Sequence, residues 1–507
     1  MNDEQYLESL GYRQQLLREM GGFSNFTISF SIISILTGAV LLYGYGLKFA
    51  GPIVNSVGWP IVSLFTLAVA ASMAEIASAY PTAGGLYFWS LKLGGRGWGW
   101  VTAWLNMIGQ VTITGGINIA AAIYLIGAAT RVFGLRGDYL TNWYFQLAVM
   151  IAILLPQVLI NVYGIRLTAR LSDLSVWWHI AGVLLITLAL TFFGKHHNSG
   201  AFLFSFAPAV NAYELSSSLA VADFATPSPL FRIFPALADL YRAASPALLF
   251  VLALLQAQWT YTGYDASAHV AEETKMARLN SAWGIFLSVA VSAVVGYAML
   301  MVLTWCIPNG DVATTAADPY PVLYIVGSNL VPFAANFIAV MIGGAMWLCG
   351  LASVTSMGRM WYAFARDGGM PGSRMLARVS RNGTPVNAII VTSIISVLVC
   401  VYAAAFYVVT SISTIALYLA YVIPIFLNLR NRIPREATAW SMGRFGPFVN
   451  VVAIVWCAVI TIMFVLPPNE LVLWTMVACG IGLFGYWKLQ RRAGFNGPLA
   501  SSTPAGR

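Results

Sequence analysis

From Phe23 almost to the C-terminus the chain is a succession of apolar runs about 20 residues long, the length an α-helix needs to cross a hydrocarbon core roughly 30 Å thick. Only 9% of the 507 residues are charged and 59% are hydrophobic, whereas roughly 25% of a soluble domain is charged, so water is not this chain's only solvent. A transmembrane β-barrel would instead show segments of about ten residues that alternate between apolar and polar. The expected fold is an all-α integral membrane protein of about twelve transmembrane helices. Their starts are read at Phe23, Trp59, Trp98, Trp143, Leu174, Pro246, Trp283, Val331, Val386, Val408, Phe448 and Leu471.

The run from Val386 to Leu429 decides the count, because its 44 residues contain no charge. As one helix it would extend about 66 Å, roughly twice the apolar core, so it is read as two spans. On this reading 21 of the 27 lysines and arginines lie on the side of the N-terminus and 6 lie opposite. The positive-inside rule then places both termini in the cytoplasm of a cell whose plasma membrane the chain crosses. The net charge of +9 is an orientation signal, since no soluble basic domain is present to bind nucleic acid. Residues 1–22 form a polar cytoplasmic segment without the basic start and cleavable apolar stretch of a signal peptide, so the first span is expected to be retained. The five cysteines, Cys306, Cys349, Cys400, Cys457 and Cys479, sit in or beside apolar runs and read as packing residues; no disulfide framework, metal or other cofactor is expected. The longest connection, residues 195–245, falls outside. Its Leu230, Phe231, Ile233, Phe234 and Leu237 suit a short helix lying on the membrane, as a surface loop or as a gate.

Polar groups persist at membrane depth only where they face protein or water, and two spans carry unusual numbers of them. The first has Ser31, Ser34, Thr37 and Gly38 inside its apolar run. The sixth has Gln258 through Asp265 midway between Pro246 and the Glu272, Glu273 pair. Each contains a Thr-Gly step, Thr37-Gly38 and Thr262-Gly263, where a helix can unwind. Asp265 is the sharpest signal, because a carboxylate at the bilayer centre costs roughly 2.5 to 3.5 kcal/mol on insertion scales. It is expected either to face a cavity or cation, or to be a structural group bonded to a neighbouring helix. Two interrupted helices in matching positions of two halves point to a transporter site built on inverted repeats. Their bare N–H and C=O groups complement the carboxylate and ammonium of a zwitterion.

The sequence resembles the amino acid, polyamine and organocation superfamily, and within it the branch of amino acid, 4-aminobutyrate and choline permeases. The likeness runs along nearly the whole chain and rests on motifs in order: Gly22-Phe23-Ser24-Asn25-Phe26 leading to Ser31 through Gly38, Met73-Ala74-Glu75-Ile76 before Tyr80 through Tyr87, Trp259 through Asp265 before Glu272-Glu273-Thr274, and Ser356-Met357-Gly358-Arg359 before Ala365 through Pro371. It implies two inverted five-helix repeats, residues 23–194 and 246–429, two C-terminal helices in 430–489 and a cytoplasmic tail, 490–507. It also implies substrate contacts at Ser34, Ile35, Leu36, Thr37 and Gly38 and at Trp259, Thr262, Gly263, Tyr264 and Asp265, with Trp259 as the aromatic that closes over the cargo. Many relatives carry Glu where this chain has Asp265, and many carry a membrane-embedded Lys where it has His179. Asp265 and His179 are therefore the candidates for proton coupling. A lone histidine beside Trp177 and Trp178 also reads as an interfacial anchor.

Glu75, Glu272 and Glu273 lie at expected cytoplasmic ends. There they either latch an inner gate by pairing with Lys92, Arg96, Arg166, Arg170 or Arg359, or remain solvated helix ends. Gln110, Thr114 and Asn118 recur every four residues on one face of the third span, lining a path or bridging helices. The reading that unites these features is a secondary active permease for an amino acid or a related small amine such as 4-aminobutyrate. It would work by alternating access, driven by protons or by exchange; no Walker-type motif is present to use ATP. Choline or a polyamine is the nearest alternative, with Trp259, Tyr261 and Tyr264 as an aromatic cage. A membrane-embedded enzyme is more distant, since His179, His196, His197 and His269 form no ligand pair one helical turn apart.

Overall fold

The computed structural model describes residues 2–134, 139, 142–209, 229–243, 245–403, 406–467 and 469–492. Residues 210–228 of the long outer connection and 493–507 of the expected tail lie outside this set. Among the described residues the regular structure is helical, apart from one isolated parallel bridge between Met20 and Thr274. In order, the α-helices are α1 (Asp3–Ser9), α2 (Gly22–Ile33), α3 (Gly38–Leu41), α4 (Tyr43–Ala50), α5 (Trp59–Ala79), α6 (Leu86–Gly94), α7 (Arg96–Phe133) and α8 (Trp143–Tyr163). They continue as α9 (Ile165–Phe193), α10 (Pro229–Ile233), α11 (Pro235–Arg242), α12 (Pro246–Ala253), α13 (Leu255–Thr260), α14 (Ala266–His269), α15 (Ala277–Trp305), α16 (Val312–Ala317) and α17 (Pro321–Asn329). The last six are α18 (Pro332–Arg366), α19 (Ser373–Leu376), α20 (Val386–Ala403), α21 (Phe406–Arg430), α22 (Gly446–Phe464) and α23 (Glu470–Arg492).

Among the described residues ten helices are long and apolar enough to cross a membrane, or eleven if the bent pair ending at Thr260 is one span; Val386–Tyr402 is a shorter apolar helix. Every start read from the sequence falls within one of these helices or at its N-cap, and the uncharged run after Val386 is described as two helices, Val386–Ala403 and Phe406–Arg430, in keeping with its length. Several starts are fixed by proline in the first turn, where its missing N–H is no loss: Pro60, Pro246, Pro332 and Pro447.

Burial separates an inner bundle from an outer layer. The most apolar windows of α2–α3, α7 and α21 are 83% buried, against 33% for α8, α9 and α22 and 6% for α23. On α8 the exposed side chains Ile151, Leu155 and Leu159 lie about one turn apart, an apolar stripe toward lipid. The inner helices are those that carry the polar residues, because only there do hydroxyls and amides find partners.

Contacts also define two faces. On the face of the N-terminus, residues 2–20 are packed down: Met20 N–H donates to the Glu273 carbonyl at 2.9 Å, and Lys275 N–H donates to the Met20 carbonyl at 2.9 Å. On the other face, residues 195–209 are strapped across helix ends, with Ala207 N–H donating to the Ala50 carbonyl at 3.2 Å and Asn198 Nδ2 to that of Ile307 at 2.8 Å. The apolar stretch from Leu230 folds as two short helices, α10 and α11, rather than one, with Pro235 starting the second.

Candidate functional site

α2 stops at Ile33 because Ser34 turns left-handed, with φ +31°, and the chain makes a tight turn before helix resumes at Gly38. α13 stops at Thr260, and Tyr261 through Asp265 lie outside helix, with Gly263 at φ +85°. Each break thus adjoins its Thr-Gly step: Thr37-Gly38 stands where helix resumes, and Thr262-Gly263 lies inside the second break. At these turns the N–H groups of Ile35, Leu36 and Thr262 make no hydrogen bond among the described residues. In lipid such groups are tolerated only where protein or a cavity shields them.

The two breaks interlock. A β-carbon at Gly38 would lie 2.6 Å from Thr260 Oγ1 and 2.8 Å from Thr260 Cα, and one at Gly263 would overlap Ile32. Between them lies a small cavity of about 10 Å³, lined by Ile32, Ile33, Thr37, Gly38, Ile113, Ile117, Trp259, Thr260 and Thr262. Ligand pockets for drug-sized molecules run to roughly 300–1,000 Å³, so the two breaks are packed together here around room for about one water molecule. Of the residues expected at the site, Thr37, Gly38, Trp259 and Thr262 line the cavity. Ser34, Ile35, Leu36, Gly263, Tyr264 and Asp265 are buried around the breaks but are not part of its lining. Ile113 and Ile117 come from α7 and were not expected; their four-residue spacing beside Gln110 and Thr114 was the available signal.

Asp265 is fully buried and surrounded by donors. Its Oδ2 lies 2.9 Å from Asn106 Nδ2, 3.0 Å from Gln110 Nε2 and 3.0 Å from His269 Nε2, and its Oδ1 is 2.8 Å from the Tyr421 hydroxyl. Of the two roles expected for it, the structure displays the bonded one. His179 is not an interfacial anchor, since it is 1% exposed in the bundle. Its Nδ1 is 2.7 Å from the Ser175 carbonyl, which can only accept, so Nδ1 carries a hydrogen, while Nε2 lies 2.7 Å from Ser34 Oγ. Ser34 Oγ is also 2.6 Å from Thr37 Oγ1, so the imidazole braces the first break. Trp259, Tyr261 and Tyr264 do not converge on a cage: Trp259 lines the cavity, Tyr261 bonds Ser63 Oγ at 2.7 Å, and Tyr264 packs on Tyr421 at 5.0 Å.

The acidic residues on the N-terminal face are not solvated helix ends. Glu273 and Arg359 are both 0% exposed and joined through two contacts of 2.9 and 3.2 Å. Glu272 accepts from Arg366 at 2.9 and 3.0 Å and from the Ala83 N–H at 3.0 Å. Desolvation is the reason these side chains pair so closely: a buried charge without a partner costs several kcal/mol. Arg166, expected to reach this group, binds Glu19 at 2.6 Å instead, and Glu75 accepts from Ser441 Oγ at 2.9 Å and Met442 N–H at 3.1 Å. The N-terminal segment completes the seal. Arg366 stacks 3.9 Å from the centre of the Tyr12 ring, while the Tyr12 and Tyr87 hydroxyls donate to Asp367 Oδ2 at 2.7 and 2.9 Å. Burial holds the Asp367 carboxyl above its usual range, against the opposing pull of Arg366 and the two hydroxyls. Gln110 and Thr114 prove to bridge helices, the first to Asp265 and the second to Ser353 Oγ at 2.7 Å.

Known proteins with this sequence pattern point one way. The profile of the family described as amino acid permease matches residues 23–485. The chain is 33% identical to the amino-acid permease BAT1 homolog of Oryza sativa subsp. japonica, over 98% of this chain and 95% of that one. It is also 33% identical to the amino-acid permease BAT1 of Arabidopsis thaliana, over 98% and 96%. A more distant relative, 26% identical over 90% of this chain and 78% of its own, is the thiamine transporter thi9 of Schizosaccharomyces pombe.

Proposed function

Because the chain belongs to the amino acid permease family, a family of membrane transporters rather than enzymes, we propose that it carries a small amino acid across the plasma membrane by alternating access. The observation that carries this reading is the meeting of two broken helices around one small cavity, with unpaired backbone N–H groups beside it. The N–H groups of Ile35, Leu36 and Thr262 suit a carboxylate, and the carbonyls that end α2 and α13 suit an ammonium group. Ile113, Ile117 and Trp259 enclose the remainder of the cargo. No ionised side chain lines the cavity, which favours a small neutral side chain over a polyamine.

In this reading residues 23–194 and 246–429 are two inverted repeats that rock against each other, and the face with the N-terminus is cytoplasmic, in keeping with its share of lysine and arginine. The Glu273–Arg359 and Glu272–Arg366 pairs and residues 12–20 then form a closed inner gate. Transport is driven by a proton gradient. The test is uptake into proteoliposomes of labelled amino acids, 4-aminobutyrate, choline, putrescine and thiamine, with and without an imposed pH gradient. Saturable uptake of a neutral amino acid supports the proposal; uptake confined to choline, putrescine or thiamine, or none at all, overturns it.

A further inference from the structure

His269 lies one helical turn after Asp265, on α14, and its two ring nitrogens face different kinds of partner. Nδ1 is 3.1 Å from the carbonyl of Ala83, which can only accept, so Nδ1 carries a hydrogen. Nε2 is 3.0 Å from Asp265 Oδ2, an oxygen that already faces two amide donors, Asn106 and Gln110. The hydrogen on the Tyr421 hydroxyl is also committed to Asp265, because that hydroxyl accepts from the Gly263 N–H at 3.2 Å. A neutral imidazole would turn the lone pair of Nε2 toward a carboxylate. The arrangement is satisfied when Nε2 carries a hydrogen too: an imidazolium against a carboxylate, with no net charge. His179 is the contrast, since its carbonyl and hydroxyl partners suit a neutral ring.

Building on the alternating-access reading above, we infer that the Asp265–His269 pair is the proton-binding site of the transport cycle, and that the Tyr80–Gly85 turn ties its occupancy to the inner gate. Ala83 lies in that turn and is held from both sides: its carbonyl by His269, its N–H by Glu272, which Arg366 secures. A β-carbon at Gly85 would sit 3.1 Å from His269 Cε1, so the turn rests directly on the ring. When the N-terminal face opens, Ala83 parts from the imidazole and water reaches the pair. The proton on Nε2 leaves to that water, and the pair passes from neutral to a single negative charge. A proton taken up with the next cargo restores neutrality, which the buried position favours.

The groups that share this environment set what else titrates with it. Tyr421 comes from α21 and Tyr264 from the break, while Glu272–Arg366 lies beyond the turn and Glu273–Arg359 just after α14. α7 presents the neutral amides of Asn106 and Gln110, α2 presents Asn25 and Ser29 to Ser267, and α15 packs there through Gly284. Both ion pairs are internally balanced, so a proton on the histidine is the charge that changes.

The test uses full-length protein in proteoliposomes, with the amino acid found by the uptake panel, the membrane potential clamped, and an internal pH dye. An inward gradient of about one pH unit drives about tenfold accumulation at one proton per cargo. His269→Gln is expected to reduce that ratio to about one and to abolish cargo-dependent acidification of the lumen, while counterflow, which needs no net proton movement, stays measurable. If that variant fails to fold because Asp265 is left unpaired, Asp265→Asn with His269→Gln keeps the pair neutral and hydrogen-bonded, and carries the same prediction. Tenfold accumulation with acidification in either variant overturns the assignment. A wild-type protein that moves no amino acid overturns the functional reading instead.

Discussion

Replacing Arg359 by methionine tests the seal on the N-terminal face quantitatively. The guanidinium lies in a fully buried site, with Nε and Nη2 at 2.9 and 3.2 Å from the two oxygens of Glu273 and Nη1 at 3.5 Å from Asn161 Oδ1. Methionine fills most of the volume but leaves Glu273 without its cation. Removing one partner of a buried pair costs about 3–5 kcal/mol, whereas replacing both by apolar groups is often neutral or stabilising. Arg359→Met should therefore lower stability by about 3–5 kcal/mol, and Glu273→Leu with Arg359→Met should recover most of that loss. Thermal unfolding of detergent-solubilised protein, followed by the loss of its monodisperse size-exclusion peak, reports the difference. The pH dependence supplies a second check. Burial already holds the Glu273 carboxyl above its ordinary value of 4.5, with Arg359 pulling it back, so removing the arginine raises it further. The folded state then binds more protons than the unfolded one, and the stability of the variant should fall as pH rises from about 4.5 through the raised value. Equal losses in the single and double variants, or a single variant that grows more stable with rising pH, would refute the reasoning.

Other perturbations act on the breaks and the cavity. Gly263→Ala places a β-carbon at φ +85° against Ile32, costing about 1–2 kcal/mol for the backbone and about 1–3 kcal/mol for overpacking; uptake at matched surface expression should drop, and Ile32→Ala should restore part of it. Ile117→Trp should fill the cavity and block uptake of every cargo, while Ile113→Ala should admit larger amino acids, read by competition in the uptake assay. His179→Gln should weaken uptake by loosening Ser34 yet keep the wild-type pH profile; a profile that flattens would move proton coupling to His179.

What the sequence made legible was the part of the fold that local pattern encodes. Apolar length marked the spans, proline marked several starts, and the two Thr-Gly steps marked the neighbourhoods of the breaks, Thr37-Gly38 where helix resumes and Thr262-Gly263 inside the second break. Partners distant in sequence were not legible. Asp265 stood out as a carboxylate at membrane depth, but its saturation by Asn106, Gln110 and Tyr421 depends on residues more than 150 positions away. His269 is legible in principle from its four-residue offset to Asp265, a spacing that places a histidine beside a carboxylate as readily as beside a metal. Exposed-pair energetics suggested solvated glutamates at the helix ends; the folded N-terminal segment removes water from that surface and reverses the expectation. Polar residues without periodicity, such as those before Met20, give no warning that they will be packed.

The pairing of Met20 with Glu273 and Lys275 runs through main-chain atoms, so it survives most side-chain exchanges and breaks only when the backbones separate. Any displacement of the stretch from Glu273 to Lys275 must therefore drag the leading segment along or strip it away. Under the proposed alternating access residues 2–20 would move with the inner gate, and a spectroscopic label near Met20 would register each opening of that side while touching neither cargo nor cavity.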